Sequence, residues 1–210
     1  MTSHIIWDWN GTLVNDAPVA CAVLNEMLAR RALAPVSFEH YREIYCHPIQ
    51  RIYERVGFDL VQEPFGELAD EWHAAYLDAS THAKLHHDSL ETLQRFHSAG
   101  RTQVILSALP HDILSASVAL HRLENFFSEV QGLEDRLARS KADTAQRLMH
   151  RLGAERDSIL MVGDSAHDAE VATLLGIRCV LVSRGYESRE RLGQHGFPVC
   201  SDFSEMLQYV

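Results

Sequence analysis

The chain has no basic surplus. Its 19 Lys+Arg stand against 29 Asp+Glu, a formal net charge of −10 over 210 residues. Nothing is left over to displace counterions along a phosphate backbone, so broad nucleic-acid binding is not expected. No apolar run approaches the roughly 20 residues that a membrane helix needs, so no membrane association is expected. The opening Met1-Thr2-Ser3-His4 carries neither the basic nor the apolar segment of an export signal, and a cytoplasmic location is expected. The four cysteines, Cys21, Cys46, Cys179 and Cys200, show no CxxC spacing and read as reduced thiols. Repeats and low-complexity tracts are absent. Lysine is nearly so: Lys84 and Lys141 stand against 17 arginines. What is present, 46% hydrophobic and 23% charged residues, is the composition of an ordinary globular chain. Its length suits one domain, or one domain with a substantial insertion.

Short apolar runs alternate with helical patterns over much of the chain. Ile5-Ile6-Trp7 reads as a buried strand ending at Asp8, and Asn10-Gly11-Thr12 then turns the chain. Pro18 suits a first helical turn, and Val19, Val23 and Met27, with Leu24 and Leu28 alongside, follow at helical spacing. Residues 38–46, 49–56 and 64–82 also look helical, with no strong strand between about 15 and 85. Afterwards a helix over 88–99 closes at Gly100. Gln103-Val104-Ile105-Leu106 is a strand ending at Ser107, followed by a helix from Pro110 to His121. Ser140 can cap a helix that buries Ala145, Leu148, Met149 and Leu152 and closes at Gly153. Ile159-Leu160-Met161-Val162 runs into Gly163-Asp164, residues 166–175 form a helix closed by Gly176, and Cys179-Val180-Leu181-Val182 is a further strand. This alternation predicts an α/β fold, a mostly parallel sheet flanked by helices. Ligands bind beyond the carboxyl ends of such strands, where Asp8, Ser107 and Asp164 are expected.

Asp8-Trp9-Asn10-Gly11-Thr12, Ser107, Lys141 and Gly163-Asp164-Ser165-Ala166-His167-Asp168 resemble the four ordered motifs of the haloacid dehalogenase superfamily. The spacing is similar to its subgroup with a helical cap between the first two motifs, which includes phosphoglycolate phosphatases and β-phosphoglucomutases. The resemblance implies a Rossmann-like core, 1–14 plus 85–210, and an inserted helical cap, 15–84. It makes Asp8 the nucleophile that takes the phosphoryl group as an aspartyl-phosphate. It also implies Mg²⁺, held by Asp8, the backbone carbonyl of Asn10 and Asp164, with Asp168 as a direct or indirect partner. Ser107 and the backbone N–H of Ala108 would grip phosphate oxygens, Lys141 would supply positive charge, and the Thr12 hydroxyl would brace the turn at Gly11. Arg139 is a nearby substitute for Lys141. His167, inside the last motif, reads as a substrate contact or proton donor. His86-His87 reads as a surface pair.

One position departs from the family pattern. Phosphatases of the superfamily carry a second Asp two residues after the nucleophile, which protonates the leaving oxygen and then activates water. Here that position is Asn10, and an amide cannot relay protons; such acid–base work is typically worth about 10²–10⁴-fold. His167 or His47 is a candidate substitute. Phosphonoacetaldehyde hydrolases also lack the second Asp but use a cap lysine, and residues 15–83 contain none. Dehalogenases lack it and need no metal, against which the Asp164/Asp168 pair argues. A phosphate-binding regulatory protein with little turnover is the remaining alternative. The leading expectation is a Mg²⁺-dependent phosphatase of a small phosphorylated metabolite, phosphoglycolate being the nearest family guess, in a monomer or homodimer. Arg42, His47, Arg51 and Tyr53 of the cap are expected as substrate contacts or as plain helix surface.

Overall fold

A computed structural model describes residues 2–133 and 141–210. The expected roles of Arg139 and Ser140 lie outside the described residues. In chain order, β1 (His4–Trp7) and β2 (Val14–Asn15) precede four helices, α1 (Ala17–Arg30), α2 (Phe38–Ile44), α3 (Gln50–Arg55) and α4 (Phe65–Ser80). Then come β3 (Lys84–Leu85), α5 (Ser89–Ser98), β4 (Thr102–Pro110), α6 (His111–Leu120) and β5 (Glu129–Leu133). The chain closes with α7 (Lys141–Leu152), β6 (Ile159–Gly163), α8 (Ala166–Leu175), β7 (Arg178–Val182), α9 (Arg189–Leu192), β8 (Val199–Cys200) and α10 (Phe203–Met206).

Six strands form one sheet in the order β5-β4-β1-β6-β7-β8, every pairing parallel. The short apolar runs are its central strands, buried on both faces as a parallel sheet requires. Along β1, Ile5 and Trp7 face one hydrophobic layer while Ile6 faces the other; Leu160 and Val162 oppose Ile159 and Met161 on β6 in the same way. The first layer takes Leu93 and Phe96 of α5, Leu114 and Val118 of α6 and Phe203 of α10. The second takes Ala145 and Leu148 of α7 and Val171, Ala172 and Leu175 of α8. The fold is therefore a Rossmann-like parallel sheet with helices on both faces and an inserted helical region. That region has its own apolar cluster, built from Val23, Leu24, Met27 and Leu28 of α1 with Ile52, Tyr53 and Leu68.

Four features depart from the sequence expectation. β2 and β3 pair antiparallel at the two ends of the insertion, Val14 opposite Leu85 and Asn15 opposite Lys84; two residues are too few to give a period-2 signal. β5, an edge strand whose first three residues are only half-buried, has no continuous apolar run to announce it. The short β8, α9 and α10 likewise carry too little pattern. β4 runs past Ser107 to Pro110, with a register shift against β5 between Leu106 and Pro110.

Candidate active site

The site forms where β1, β4 and β6 end. Asp8 follows β1 and donates its backbone N–H to Val162 O at 2.9 Å. Asp164 follows β6, which pairs with β1 in the register Trp7–Val162, so the two carboxylates emerge side by side. β4 pairs with the other edge of β1, Trp7 opposite Ile105, which brings Ser107 level with the start of the same loop. Asp168 comes from the first turn of α8, where its carboxylate accepts from the N–H and hydroxyl of the capping residue Ser165, the latter at 2.7 Å. Ligand oxygens of Asp8, Asp164 and Asp168 lie within 4.8 Å of one another, and all three residues are buried.

Lys141, at the start of α7, reaches into this cluster. Its Nζ lies 2.5 Å from Asp8 Oδ1 and 2.5 Å from Asp168 Oδ1. Burial alone would lower the lysine pKa, but Asp168 and Asp8 outweigh it and hold the ammonium charged. Asp168 stays ionised because Lys141 overcomes its burial. Asp8 is pushed up to about 7, by burial first and then by Asp168, against the pull of Lys141. Asp164 is raised well above the carboxylate range by burial, Asp8 and Asp168. Three carboxylates and one ammonium carry a net charge of −2 when all are ionised. A buried charge excess is costly unless a cation joins it. The donor set is oxygen only, suited to a hard divalent ion such as Mg²⁺ or Ca²⁺.

The loop between Asp8 and Asp16 is tightly pinned. Gly11 sits at φ 73°, and a side chain there would collide with the Asp164 carboxylate. Thr12 Oγ1 donates to Asp164 Oδ1 at 2.9 Å, and Tyr186 N–H donates to Asp164 Oδ2 at 2.6 Å. The Asn10 side chain turns to Asp16 and Tyr76, donating from Nδ2 at 2.7 and 2.8 Å. Ser107 is buried, and its Oγ accepts from Leu109 N–H at 3.1 Å. Ala108 is exposed beside it. His167 is half-buried on α8, its ring 5.0 Å from that of the exposed His47.

The structure thus brings Asp8, Thr12, Lys141, Asp164 and Asp168 into direct contact. Three histidine and insertion expectations change. His86 is not a surface residue: it is half-buried and its Nε2 donates to Gly11 O at 3.1 Å, while His87 is exposed. Tyr53 is buried against Phe58 and Phe65 within the inserted region, and Arg51 is exposed. Arg42 binds the core backbone instead, donating to Ser183 O and Glu187 O at 2.7 Å each. Arg191 reciprocates from the core, donating to Glu43 O and Tyr45 O at 2.8 and 2.7 Å. Sequence reading missed Asp16, Tyr76, Tyr186 and Glu187. Asp16 follows no apolar run and belongs to none of the four motifs; the other three are far from the motifs in sequence, and nothing local to them signals a role.

The haloacid dehalogenase-like hydrolase family model matches residues 5–182, so the chain belongs to that family. With its aspartate cluster, it is an enzyme of phosphatase type. Among curated relatives, a phosphoglycolate phosphatase of Caulobacter vibrioides is 30% identical, over 90% of this chain and 83% of that protein. A phosphoglycolate phosphatase of Rhodospirillum rubrum is 28% identical, over 100% of this chain and 91% of its own. Of solved structures, a haloacid dehalogenase-like hydrolase from Streptococcus pneumoniae shares the fold with a TM-score of 0.85 at 16% identity, covering 99% of this chain and 98% of that one. No helix among the described residues is long and apolar enough to cross a membrane.

Proposed function

We propose that the protein is a Mg²⁺-dependent phosphatase of small phosphorylated acids, with phosphoglycolate the leading candidate, working through an aspartyl-phosphate on Asp8. The observation that carries this reading is the buried cluster of three carboxylates with one lysine at the carboxyl edge of the sheet. The names of the curated relatives support the substrate. Asp8, Asp164, Asp168 and the backbone carbonyl of Asn10 would hold the ion, which would screen the nucleophile from the phosphate and offset transition-state charge. The charge excess of the cluster favours this over a metal-free dehalogenase.

Asp8 would attack phosphorus in line with the leaving oxygen, and Lys141, Ser107 and the Ala108 N–H would hold the equatorial oxygens. Residues 15–84 would act as a cap; the reciprocal Arg42 and Arg191 contacts support a closed position over a small substrate. Asn10 cannot protonate a leaving oxygen, so esters with acidic leaving groups should turn over fastest. His47 and His167, their rings 5.0 Å apart, are the candidate acid–base groups for the others; burial lowers both pKa values, His47 to about 4, which favours the neutral rings and keeps their help to poor leaving groups small. A cytoplasmic protein, monomeric or homodimeric, completes the proposal.

The test is phosphate release with Mg²⁺ from aryl phosphates of graded leaving-group acidity and a panel of short-acid and sugar phosphates. Turnover that rises with leaving-group acidity and falls at least about 10⁴-fold in Asp8→Asn is expected. Turnover unchanged by Asp8→Asn would end the proposal.

A further inference from the structure

We propose that Asp16 is the positioning residue for Asn10, locking its amide so that the carbonyl oxygen serves as a fixed acceptor for the water that attacks the aspartyl-phosphate. This rests on the function proposed above. Asp16 is fully buried, and its carboxylate accepts four hydrogen bonds. Gly11 N–H donates to Oδ1 at 2.7 Å. Asn10 Nδ2 and the Tyr186 hydroxyl donate to Oδ2 at 2.7 Å each, and the Tyr76 hydroxyl donates to the same oxygen.

A carboxylate in this setting only accepts, so it dictates which end of the amide faces it. A flipped Asn10 would set its oxygen against a carboxylate oxygen and forfeit the bond. Tyr76 fixes the second amide hydrogen: having given its own proton to Asp16, its oxygen accepts from Asn10 Nδ2 at 2.8 Å. Both amide hydrogens are therefore committed. The carbonyl oxygen is the end left for a ligand, and Asn10 is only half-buried. Tyr76 lies on α4, so the inserted region supplies part of the lock.

The chemistry at this step suits an acceptor that keeps no proton. Water forms a new P–O bond as the bond from phosphorus to the Asp8 oxygen breaks, its electron pair returning to the carboxylate. Both water protons leave on the product as dihydrogen phosphate, so charge and atoms balance without a base. What the step needs is orientation of the water, and small misplacement of a reacting group costs about 10²-fold.

The experiment uses the full chain with Mg²⁺ and an aryl phosphate. It compares wild type with Asp16→Asn, Tyr76→Phe, Asn10→Asp and the exchanged pair N10D/D16N, reading kcat, KM, acid-quenched aspartyl-phosphate and melting temperature. Asp16→Asn frees the amide: kcat should fall about 10²-fold, KM should fall with it so that kcat/KM is held, and the phosphoenzyme fraction should rise, because only its breakdown is slowed. Tyr76→Phe, which keeps the charge and the aromatic packing, should show the same signature at about tenfold. Asn10→Asp sets a second, half-buried carboxylate against the buried Asp16 and should lower the melting temperature by about 5 °C or more, and the exchanged pair should recover most of it. Wild-type kcat and phosphoenzyme level in both Asp16→Asn and Tyr76→Phe would overturn the proposal, as would additive melting shifts in the exchanged pair. A wild type that forms no phosphoenzyme would sink the proposed function and this catalytic role with it. A wild type that does form one, with no rise in the variants, would sink the lock alone.

Discussion

Two buried carboxylate sites flank the loop from Asp8 to Asp16, and they follow opposite rules. At one end Asp8, Asp164 and Asp168 crowd within 4.8 Å with a single ammonium between two of them. At the other end Asp16 stands alone among four neutral donors. Asp8 and Asp164 are accordingly pushed up by burial and by their like-charged neighbours. The difference separates two uses of a buried acid. A charge excess at the sheet edge invites a cation and an anionic substrate, whereas donor saturation fixes geometry. The loop joins them: Gly11 gives its N–H to Asp16 and its close approach to Asp164.

Removing the one ammonium should break the comparison most severely. Lys141→Met leaves three buried carboxylates uncompensated and should cost about 3–5 kcal/mol in metal-free protein. Turnover should fall about 10²–10³-fold. Denaturant melts with and without Mg²⁺ check it, and saturating Mg²⁺ should recover part of the loss. A metal-free variant as stable as wild type would mean the cluster is less charged than its geometry implies.

Magnesium should act on the first site in a pH-dependent way. The Asp8 pKa is about 7 against an ordinary value of 3.8. Between those values the unfolded chain has lost a proton that the folded one keeps, so the Asp8 contribution to metal-free stability falls as pH rises through that window and then levels off, and the raised Asp164 adds a loss of the same sign. Mg²⁺ competes with the proton, so its stabilisation should grow over the same window. At a hundredfold excess over its dissociation constant, it should reach about 2.7 kcal/mol above pH 7. Melting curves at stepped pH, with Mg²⁺ or with chelator, read this directly; a gain independent of pH would contradict it.

The smallest effect should come from His86 and carry the opposite sign. Its pKa lies at about 4, lowered by burial and then by Arg184. Below the ordinary 6.5 the unfolded chain takes up a proton that the folded one resists, so stability is lost as pH falls from 6.5 toward 4. His86→Gln should flatten that acid limb and leave the effect of Mg²⁺ above pH 7 intact. An unaltered acid limb would show that His86 does not set it.

The first site was far more legible in the sequence than the second, for a physical reason. Asp8 and Asp164 each follow a short, fully apolar run, and a strand in a parallel sheet must deliver the next residue to its carboxyl edge. Thr12 and Asp168 follow within a few residues of those two, and the scarcity of lysine made Lys141 conspicuous. Asp16 gave no such sign, because the residues that define its role come from Tyr76 on α4 and Tyr186 after β7. Donors 60 and 170 residues away leave no local pattern. The fold divides the same way. The central strands and long helices were legible from their apolar spacing, while the two-residue β2 and β3 and the polar edge strand β5 were not. Arg42 and His86 were misjudged because their partners are backbone carbonyls, which no side-chain pattern can announce.

The central claim is that Asp8 carries the phosphoryl group. The direct measurement is mass spectrometry of acid-quenched protein after brief exposure to an aryl phosphate. One added phosphoryl group is predicted on the peptide containing Asp8, present with Mg²⁺ and missing with chelator or in Asp8→Asn. Turnover with no phosphoryl group on Asp8, or with one on another residue, would contradict the account.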